Sequence, residues 1–423
     1  MPVCSTFSTI GIWFPSLEHM GGIERVILEH IRIFTNRGHH IVLILEEEPV
    51  RFKESISCDC IVMQKTQSRR EQWESLHRTY APQIVIFHGA DFPTVKEDLM
   101  VVRDLGMKSI LNIHFSFPSP IIFNEASHIY ALHEEIGALV DGMATVSAMD
   151  AICWKALGCN AWHVQNPFVH PASTQSTHQK SNTILWVGRF VEQKKPEEAI
   201  RVFSYIHQQM PEMKLQMLGC DYGSGGLASL IQELGLQDSI EILPSQNDTS
   251  AYYQNAALCL ITSITESFCL VLAEAKWHGL PVAMYEIPFL ELAEGNLGIV
   301  TAPFGDSRQL AVQALTLLKD KAIYTETSRA AMQSMERFND SEVYSSWIYL
   351  FNQLATTSDE NSQTAIVTRA LVQAWNYHCS KNDWKIRFFD DTAKLLGCLP
   401  GKVARFCVNS FYPTLRNLKQ KLR

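Results

Sequence analysis

The stretch ITSITESFCLVLAEAKWHGLPV carries two glutamates, Glu266 and Glu274, at a spacing that suits a long polar ligand. Glu266 follows an apolar strand, and Glu274 lies eight residues later, about two turns into the next predicted helix. About 12 Å would then separate their backbones, more than the roughly 5 to 9.5 Å between the paired carboxyls of glycosidases. The spacing therefore favours contacts at two ends of one extended ligand. For either glutamate alone, the alternative is a helix cap or a solvated helix residue.

The start of the same predicted helix is a candidate anion site. Phe268, Cys269 and Leu270 stand where the backbone N–H groups of a first helical turn have no partner within the helix. The positive end of the helix dipole lies at the same place. These groups would offer hydrogen bonds to a diphosphate lying between the two glutamates.

Two cations follow another predicted strand. The run ILWVGRFVEQKKPEEAI places Arg189 and Lys194 between a strand that ends at Gly188 and a helix that begins at Pro196. Open α/β sheets bind ligands at the carboxyl ends of their strands, and two cations there suit a phosphate or diphosphate. We interpret the neighbouring Lys195 as a surface lysine.

A third candidate is the glycine pair Gly21 and Gly22, in the loop from Ser16 that joins the first strand to its helix. A backbone without Cβ atoms lets a ligand approach closely, and the helix that follows directs free N–H groups toward the same space. An anionic ligand fits that description. The alternative is a turn that needs the two glycines only for positive φ.

These residues are positioned by predicted strands and helices that alternate along the chain. Apolar residues from Ile23 to Phe34 share one helical face, and Gly38 is expected to end that helix. Near-continuous apolar strands separated by helices indicate parallel sheets covered on both faces. The predicted strands are Thr6 to Phe14, His40 to Leu45, Gln83 to Phe87, Lys108 to His114, Gly142 to Val146, Thr183 to Gly188, Lys214 to Gly219, Ser239 to Leu243, Ala257 to Thr262 and Leu280 to Tyr285.

The alternation is interrupted once, at Asn166 to Asn182, by a polar segment with the composition of a hinge. We therefore predict an α/β protein with two doubly wound domains. The predicted division is an N-terminal domain over 1–170, a second domain over 171–337, a helix over 338–355, and a linker with a basic helical tail over 356–423.

Composition and charge exclude several classes of protein. The 423 residues include 36 basic and 44 acidic side chains, a net charge of −8 that lacks the positive field needed for nucleic acid. The eleven cysteines form no CxxC, and no HExxH occurs, so we expect neither a metal nor disulfides, as in a reducing cytoplasm. No apolar run approaches the roughly 18 residues of a membrane span. The basic stretch 401–423 favours either peripheral binding to an anionic membrane or an ordinary solvated tail.

Taken together, three segments resemble the retaining GT-B glycosyltransferases of family four: MGGIERVILEHIRIFTNRGHHIVLI, VGRFVEQKKPEEAI and SITESFCLVLAEAKWHGLPV. They occur in the family's order, and the third has its two glutamates separated by seven residues. The resemblance implies two Rossmann-like domains that face a cleft, with a helical C-terminal extension. The segment YEIPFLEL resembles members that build bacterial capsular or extracellular polysaccharides, which implies a glycan acceptor; the basic tail suggests that this acceptor is lipid-linked.

The resemblance also implies roles for the residues described above. Arg189 and Lys194 would hold the diphosphate of a nucleotide sugar, and UDP is the expected nucleotide. Glu274 would accept hydrogen bonds from the ribose hydroxyls, and Glu266 would contact hydroxyls of the donor sugar. The pair of glycines at 21 and 22 would approach the donor. His114 matches a family histidine beside the reacting sugar, although a histidine packed at a strand end is the alternative.

One departure from the family is local. Ser267 and Cys269 stand where these enzymes usually carry glycines on both sides of the phenylalanine, which would narrow the sugar pocket or alter donor choice. The family implies transfer with retention and without a bound metal. Three alternatives stay open: a nucleotide-sugar epimerase, a dinucleotide-dependent dehydrogenase, and a non-catalytic partner that keeps the fold. The dehydrogenase is disfavoured because HMGGIE lacks the GxGxxG pattern.

Overall fold

The computed structural model groups the chain into two compact units. One unit takes in residues 34–163 with the described residues before position 20 and after position 347, and the other takes in the described residues from 21 to 33 and from 164 to 347. Part of the helix that follows the first strand therefore belongs with the second unit. The structure describes residues 7–17, 21–49, 54, 56–123, 125–168, 181–219, 225–246, 248–287 and 290–356.

The first unit is built on a sheet of seven parallel strands in the order β3-β2-β1-β4-β5-β6-β7. The chain leaves β1 in one direction across the sheet and returns to its other side at β4, so the strand order reverses between these two strands. Such a reversal is where ligands of doubly wound sheets bind. The strands are β1 Thr9–Trp13, β2 His40–Leu45, β3 Asp59–Val62, β4 Ile84–His88, β5 Lys108–Ile113, β6 Gly142–Thr145 and β7 Ala161–His163.

The second unit has a sheet of six parallel strands in the order β10-β9-β8-β11-β12-β13. Its strand order reverses between β8 and β11, which pair in register at Leu258 and Ile184. The carboxyl ends of β8 and β11 therefore meet at the switch point of this sheet. The strands are β8 Thr183–Val187, β9 Lys214–Gly219, β10 Ile240–Pro244, β11 Leu258–Ile261, β12 Val282–Tyr285 and β13 Ile299–Ala302.

Helices connect the strands, as parallel pairing requires. In the first unit and at the junctions they are α1 Gly22–Asn36, α2 Arg69–Tyr80, α3 Val95–Asp104, α4 Ser119–Ile122, α5 Ala126–Gly137 and α6 Ala148–Ala156. In the second they are α7 Pro196–Gln209, α8 Gly225–Glu233, α9 Ser250–Gln254, α10 Leu270–Trp277, α11 Ser307–Lys319 and α12 Lys321–Met335, with 3-10 turns at Glu192–Lys194 and Glu291–Asn296. The last helix, α13 Asp340–Thr356, begins in the second unit and ends in the first. Among the described residues, no helix has both the length and the apolar character that crossing a membrane requires.

Local signals explain several boundaries. Gly38, two residues past α1, has a φ of +89°, as expected of the glycine that ends this helix. Pro196 occupies the first turn of α7, where a missing N–H costs nothing. The helix α10 begins only at Leu270, since Cys269 before it is left-handed. Glu274 therefore lies just over one turn into α10, and not two turns as its distance from Glu266 had indicated.

The predicted strands are present with small shifts at their ends, and β2 and β9 have the predicted bounds. Three strands escaped prediction: Asp59–Val62, Ala161–His163 and Ile299–Ala302. Each lies at the edge of its sheet and has three or four residues, so it needs no long apolar run. Most of the predicted hinge (169–180), His19 and Met20 of the glycine loop, positions 288–289 of YEIPFLEL, and the predicted tail from 357 onward lie outside the described residues.

Candidate functional site

At the switch point of the second sheet, the amine of Lys194 meets the carboxylate of Glu266. Lys194 ends the 3-10 turn that follows β8, and Glu266 follows β11, so the topology brings together residues 72 positions apart. The Lys194 Nζ donates to Glu266 Oε1 at 2.5 Å, and 17% and 7% of the two side chains are exposed. Burial alone would lower the pKa of Lys194, but the Glu266 carboxylate outweighs burial and raises this pKa. The result is a fixed ammonium at a strand end.

The turn that carries Lys194 is held by a hydroxyl of the neighbouring strand. Thr262 Oγ1 lies 2.9 Å from the carbonyl oxygens of both Lys194 and Lys195, and it accepts a 3.0 Å hydrogen bond from Trp186 Nε1. Gln193 donates to the Thr265 carbonyl at 3.0 Å. The turn is thus tied to the exit of β11 by side chains that carried no signal of their own in the sequence. These contacts fix the height of the amine above the sheet.

Arg189 lies two residues past β8 and its side chain is exposed. Its charge acts on Lys194, where it opposes the rise in pKa caused by Glu266. Two cations of the predicted diphosphate site are therefore near enough to repel one another. Lys195, interpreted as a surface lysine, is 24% exposed and lies 3.5 Å from Glu197 and 3.6 Å from Glu192.

Glu274 accepts hydrogen bonds at both carboxylate oxygens. Arg25 Nη1 donates to Oε1 at 2.9 Å, and the Tyr253 hydroxyl donates to Oε2 at 2.7 Å. Burial raises the pKa of Glu274, and the hydrogen bonds from Tyr253 and Arg25 oppose that rise. Glu274, whose side chain is 14% exposed, is therefore a partly buried, oriented acceptor and not the solvated helix residue of the alternative interpretation. Sequence reasoning missed Arg25 and Tyr253, because neither is near Glu274 along the chain.

The first turn of α10 connects the two glutamates. Cys269 has φ 64° and ψ 77°, a left-handed conformation that favours glycine, and its thiol is buried. Burial raises the pKa of this thiol, so it stays protonated. Phe268 is 3% exposed and packs edge-on against Phe338, with ring centroids 5.6 Å apart. The side chains of Phe268 and Cys269 thus belong to the core, which leaves their backbone as the part available to a ligand; Leu270 is partly buried against the same core.

The glycine pair begins α1, in the part of that helix that is grouped with the second unit. Gly21 N donates to Glu24 Oε2 at 3.0 Å, the reciprocal contact of a capping box. Gly22 does not have a positive φ, and a Cβ built on it would lie 3.6 Å from Leu270 Cδ1. A Cβ at that distance would be in ordinary van der Waals contact, so neither packing nor turn conformation requires a glycine at position 22.

His114 lies in the first unit, directly after β5. Its Nε2 is 2.8 Å from Nδ1 of His88, and the two rings stack with centroids 5.0 Å apart. Burial lowers the pKa of His114 to about 4, so the ring is neutral near pH 7. Asn112 pairs in register with His88 and is 1% exposed, and its amide has no partner among the described residues. Two buried polar side chains therefore lie beside His114 at the carboxyl ends of β4 and β5.

Part of this chain is similar in sequence to known glycosyltransferases. Residues 172–334 match the family model described as glycosyl transferases group 1. An exopolysaccharide phosphotransferase of Streptomyces coelicolor is 30% identical over 187 residues, which are 43% of this chain and 20% of that protein. A D-inositol 3-phosphate glycosyltransferase of Thermobispora bispora is 29% identical over 171 residues, 37% of this chain and 40% of the relative. The chain spans between 20% and 52% of the length of the first curated relatives that it matches.

Among solved structures, Anabaena HepE in complex with UDP and glucose superimposes with a TM-score of 0.68 at 15% identity, over 82% of this chain and 99% of that chain. Likeness at this identity shows the fold. The chain has the GT-B fold, as predicted, with its two Rossmann-like parallel sheets. The segment that matches the group 1 glycosyltransferases lies within the second unit and contains Arg189, Lys194, Glu266 and Glu274.

Proposed function

We propose that the protein is a retaining glycosyltransferase that transfers a sugar from a nucleotide sugar, with UDP as the nucleotide, to a glycan acceptor. The observation that carries this proposal is a pair of carboxylates, the buried Glu266 and the partly buried Glu274, at the two ends of one segment. Glu266 is bonded to Lys194 at a switch point, and Glu274 is bonded to Arg25 and Tyr253 one helical turn into α10. A nucleoside diphosphate sugar has hydroxyls at both ends and charge in the middle.

In this proposal the charged middle of the donor binds between the two carboxylates. Arg189, the Lys194 ammonium and the first backbone N–H groups of α10 contact the diphosphate. Glu274 accepts hydrogen bonds from the ribose hydroxyls, and Glu266 accepts them from the donor sugar. The backbone at Gly21 and Gly22 borders the donor. The cations are thus matched to the charged diphosphate, and the carboxylates are matched to the hydroxyl groups.

The reaction breaks the bond from the anomeric carbon to the diphosphate oxygen and forms a bond from that carbon to the acceptor oxygen. Negative charge accumulates on the leaving diphosphate, where Arg189 and Lys194 stabilise it in the transition state. The acceptor proton passes to the leaving phosphate oxygen on the same face of the sugar. Glu266, already bonded to Lys194, is not assigned as a nucleophile. His114, neutral near pH 7, contributes a hydrogen bond beside the reacting sugar, and we propose no metal or other cofactor.

The acceptor and location belong to the same proposal. We propose a glycan, lipid-linked during the assembly of capsular or extracellular polysaccharide, because the chain is 30% identical over part of its length to an exopolysaccharide phosphotransferase. The enzyme would work in the cytoplasm, and the basic residues over 401–423 would hold it at the inner face of the membrane. Deleting 401–423 and measuring co-sedimentation with anionic vesicles tests the membrane part: unchanged binding overturns it.

The donor is tested by thermal shift against UDP, GDP, ADP and CDP and their glucose conjugates. A ligand at a hundred times its Kd stabilises the protein by about 2.7 kcal/mol, which is readily seen as a shift in Tm. UDP release is then measured with and without a glycan acceptor. Release that depends on acceptor supports transfer, whereas conversion of the nucleotide sugar without acceptor supports the epimerase. Binding without either reaction supports the non-catalytic partner, and the anomeric configuration of the product, read by NMR, tests retention.

A further inference from the structure

Arg25 lies in the first turns of α1, yet its guanidinium contacts Glu274 of α10, in the same unit but much later in the chain. Its Nη1 donates to Glu274 Oε1 at 2.9 Å across 249 residues of chain. The Arg25 side chain is 32% exposed, whereas that of Glu274 is 14% exposed. The cation therefore reaches from a solvated position to a carboxylate that has lost most of its water.

The surroundings of Glu274 explain why this contact matters. A carboxylate has about four lone-pair positions on its two oxygens. Arg25 of α1 donates to Oε1 and Tyr253 of α9 donates to Oε2, and Thr249 before α9 is a third donor to this carboxylate. The plane of the carboxylate is therefore set by donors from two separate parts of the chain. The acceptor capacity that is left suits a hydroxyl group, such as one of a ribose.

We propose that Arg25 is a positioning residue for the donor nucleotide: it keeps the Glu274 carboxylate ionised and oriented so that this carboxylate accepts hydrogen bonds from the ribose hydroxyls. The inference rests on the proposed function and adds to it a residue from the start of α1. Arg25 acts through Glu274 and makes no assigned contact with the reacting atoms.

Other groups near Glu274 do not replace this cation. Tyr253 of α9 and Thr249 before it are neutral donors, and burial raises the pKa of Tyr253 well above its ordinary value. The thiols of Cys259 in β11 and Cys269 are buried, and burial raises the pKa of both. The imidazole of His278, the residue directly after α10, stacks on Tyr253 with ring centroids 5.7 Å apart. Loss of Arg25 would therefore leave a buried carboxylate whose strongest compensating charge is gone.

The test measures UDP affinity of the full chain by calorimetry between pH 5 and pH 8. In Arg25→Ala we expect UDP to bind about tenfold more weakly at pH 7, because a charge-assisted hydrogen bond that orients the acceptor is lost. The pH at which UDP affinity falls on acidification should be higher by about one unit in this variant, since an uncompensated carboxylate in a poorly solvated place takes up a proton more readily. Arg25→Lys, which keeps the charge, should recover part of both effects.

Arg32→Ala is the matched control. Arg32 lies on the same helix and donates to Asp340 at 2.7 and 2.8 Å, so this variant also removes an ion pair of α1 without touching Glu274. It should lower Tm but leave UDP affinity and its pH dependence unchanged. A second readout is 2′-deoxy-UDP: if Arg25 acts through the ribose, the loss caused by Arg25→Ala should be smaller for this analogue than for UDP.

The outcomes separate the two proposals. If the wild type binds UDP and Arg25→Ala behaves as Arg32→Ala does, or loses equal affinity for UDP and 2′-deoxy-UDP, the role of Arg25 is overturned and the transferase proposal stands. If the wild type binds none of the nucleoside diphosphates, the proposed function itself is overturned, and the role of Arg25 with it.

Discussion

The amine of Lys194 and the carboxylate of Glu266 form a short ion pair where β8 and β11 end side by side. The positions of both residues depend on contacts with other parts of the second unit. The 3-10 turn of Lys194 is tied to β11 through Thr262, and Glu266 is 6% exposed just past that strand. A partly buried ion pair responds strongly to the loss of one partner, since the other charge is left without compensation.

Lys194→Ala should therefore impair both folding and turnover. We expect the free energy of unfolding to fall by roughly 3 kcal/mol, because an unpaired Glu266 carboxylate stays in a poorly solvated place. UDP release should fall about a hundredfold or more, as when one donor to a developing negative charge is removed. Urea unfolding and the UDP-release assay measure the two effects.

Lys195→Ala provides the control for that variant. Lys195 is the next residue and has only longer ion pairs, at 3.5 and 3.6 Å, with Glu197 and Glu192. Such pairs contribute about 0 to 1 kcal/mol, so both stability and activity should stay close to those of the wild type. Equal losses in the two variants would contradict a specific role for the Lys194–Glu266 pair.

The left-handed backbone at Cys269 predicts an unusual order of stability. Cys269→Ala and Cys269→Gly both remove a buried sulfur, but only the glycine variant removes the Cβ that makes a φ of 64° unfavourable. Cys269→Gly should therefore be more stable than Cys269→Ala by about 1 kcal/mol. Urea unfolding of both variants measures the difference. An alanine variant as stable as the glycine variant would show that this backbone position carries no strain.

The ring of His114 should stay neutral over the working pH range. Because burial lowers its pKa to about 4, the folded protein resists protonation of this ring, and an unfolded histidine takes up the proton near pH 6.5. Stability from this group is present in full above about pH 6.5 and is lost as the pH falls toward 4. The His114 Hε1 resonance should not shift between pH 8 and pH 5.

His88→Leu and His88→Gln probe the partner of that ring. The leucine variant removes the 2.8 Å hydrogen bond, whereas glutamine keeps a group that donates and accepts. We expect the rate of UDP release to fall in His88→Leu and to recover in part in His88→Gln.

The titration of His114 has its own contradicting outcome. A midpoint near pH 6.5 for the His114 Hε1 resonance of the wild type would contradict the burial of this ring.

Asp150 should make the protein less stable as the pH rises, the opposite of the pH dependence expected from His114. Its Oδ1 accepts from Phe117 N at 2.8 Å, its Oδ2 has no partner among the described residues, and burial raises its pKa to about 6. The folded state binds the proton more tightly than the unfolded state, so stability falls by about 3 kcal/mol as the pH rises from about 4 through 6. Asp150→Asn keeps the oxygen that accepts from Phe117 and should flatten this part of the profile.

The control for Asp150 is a solvent-exposed aspartate of the same protein, Asp306. Asp306 is exposed at the start of α11 and accepts from Gln309 N at 2.9 Å. Asp306→Asn keeps this cap and should leave the slope of unfolding free energy between pH 4 and pH 6 as it is in the wild type. A wild-type profile that is already flat over that interval would contradict the raised pKa of Asp150.

Much of the fold was predictable because its signals are local. Interior strands such as His40–Leu45 are continuous apolar runs, and Gly38 and Pro196 mark helix ends through their own backbone preferences. Edge strands escaped because a short strand with one neighbour has no comparable pattern. The start of α10 at Leu270 was likewise not predictable, since the residues SFCL do not indicate that the cysteine has a left-handed conformation.

The amino-acid sequence by itself determined the alternation of strands and helices, the two-sheet architecture, and the charged residues of the group 1 segment, because hydrophobic runs and turn residues act over a few positions. Only the tertiary structure decided which side chains meet: Lys194 with Glu266 over 72 residues, and Arg25 with Glu274 over 249. Contacts at such separations depend on the order of strands in a sheet and on which helices pack together. That order is a property of the whole core, and no single segment contains it.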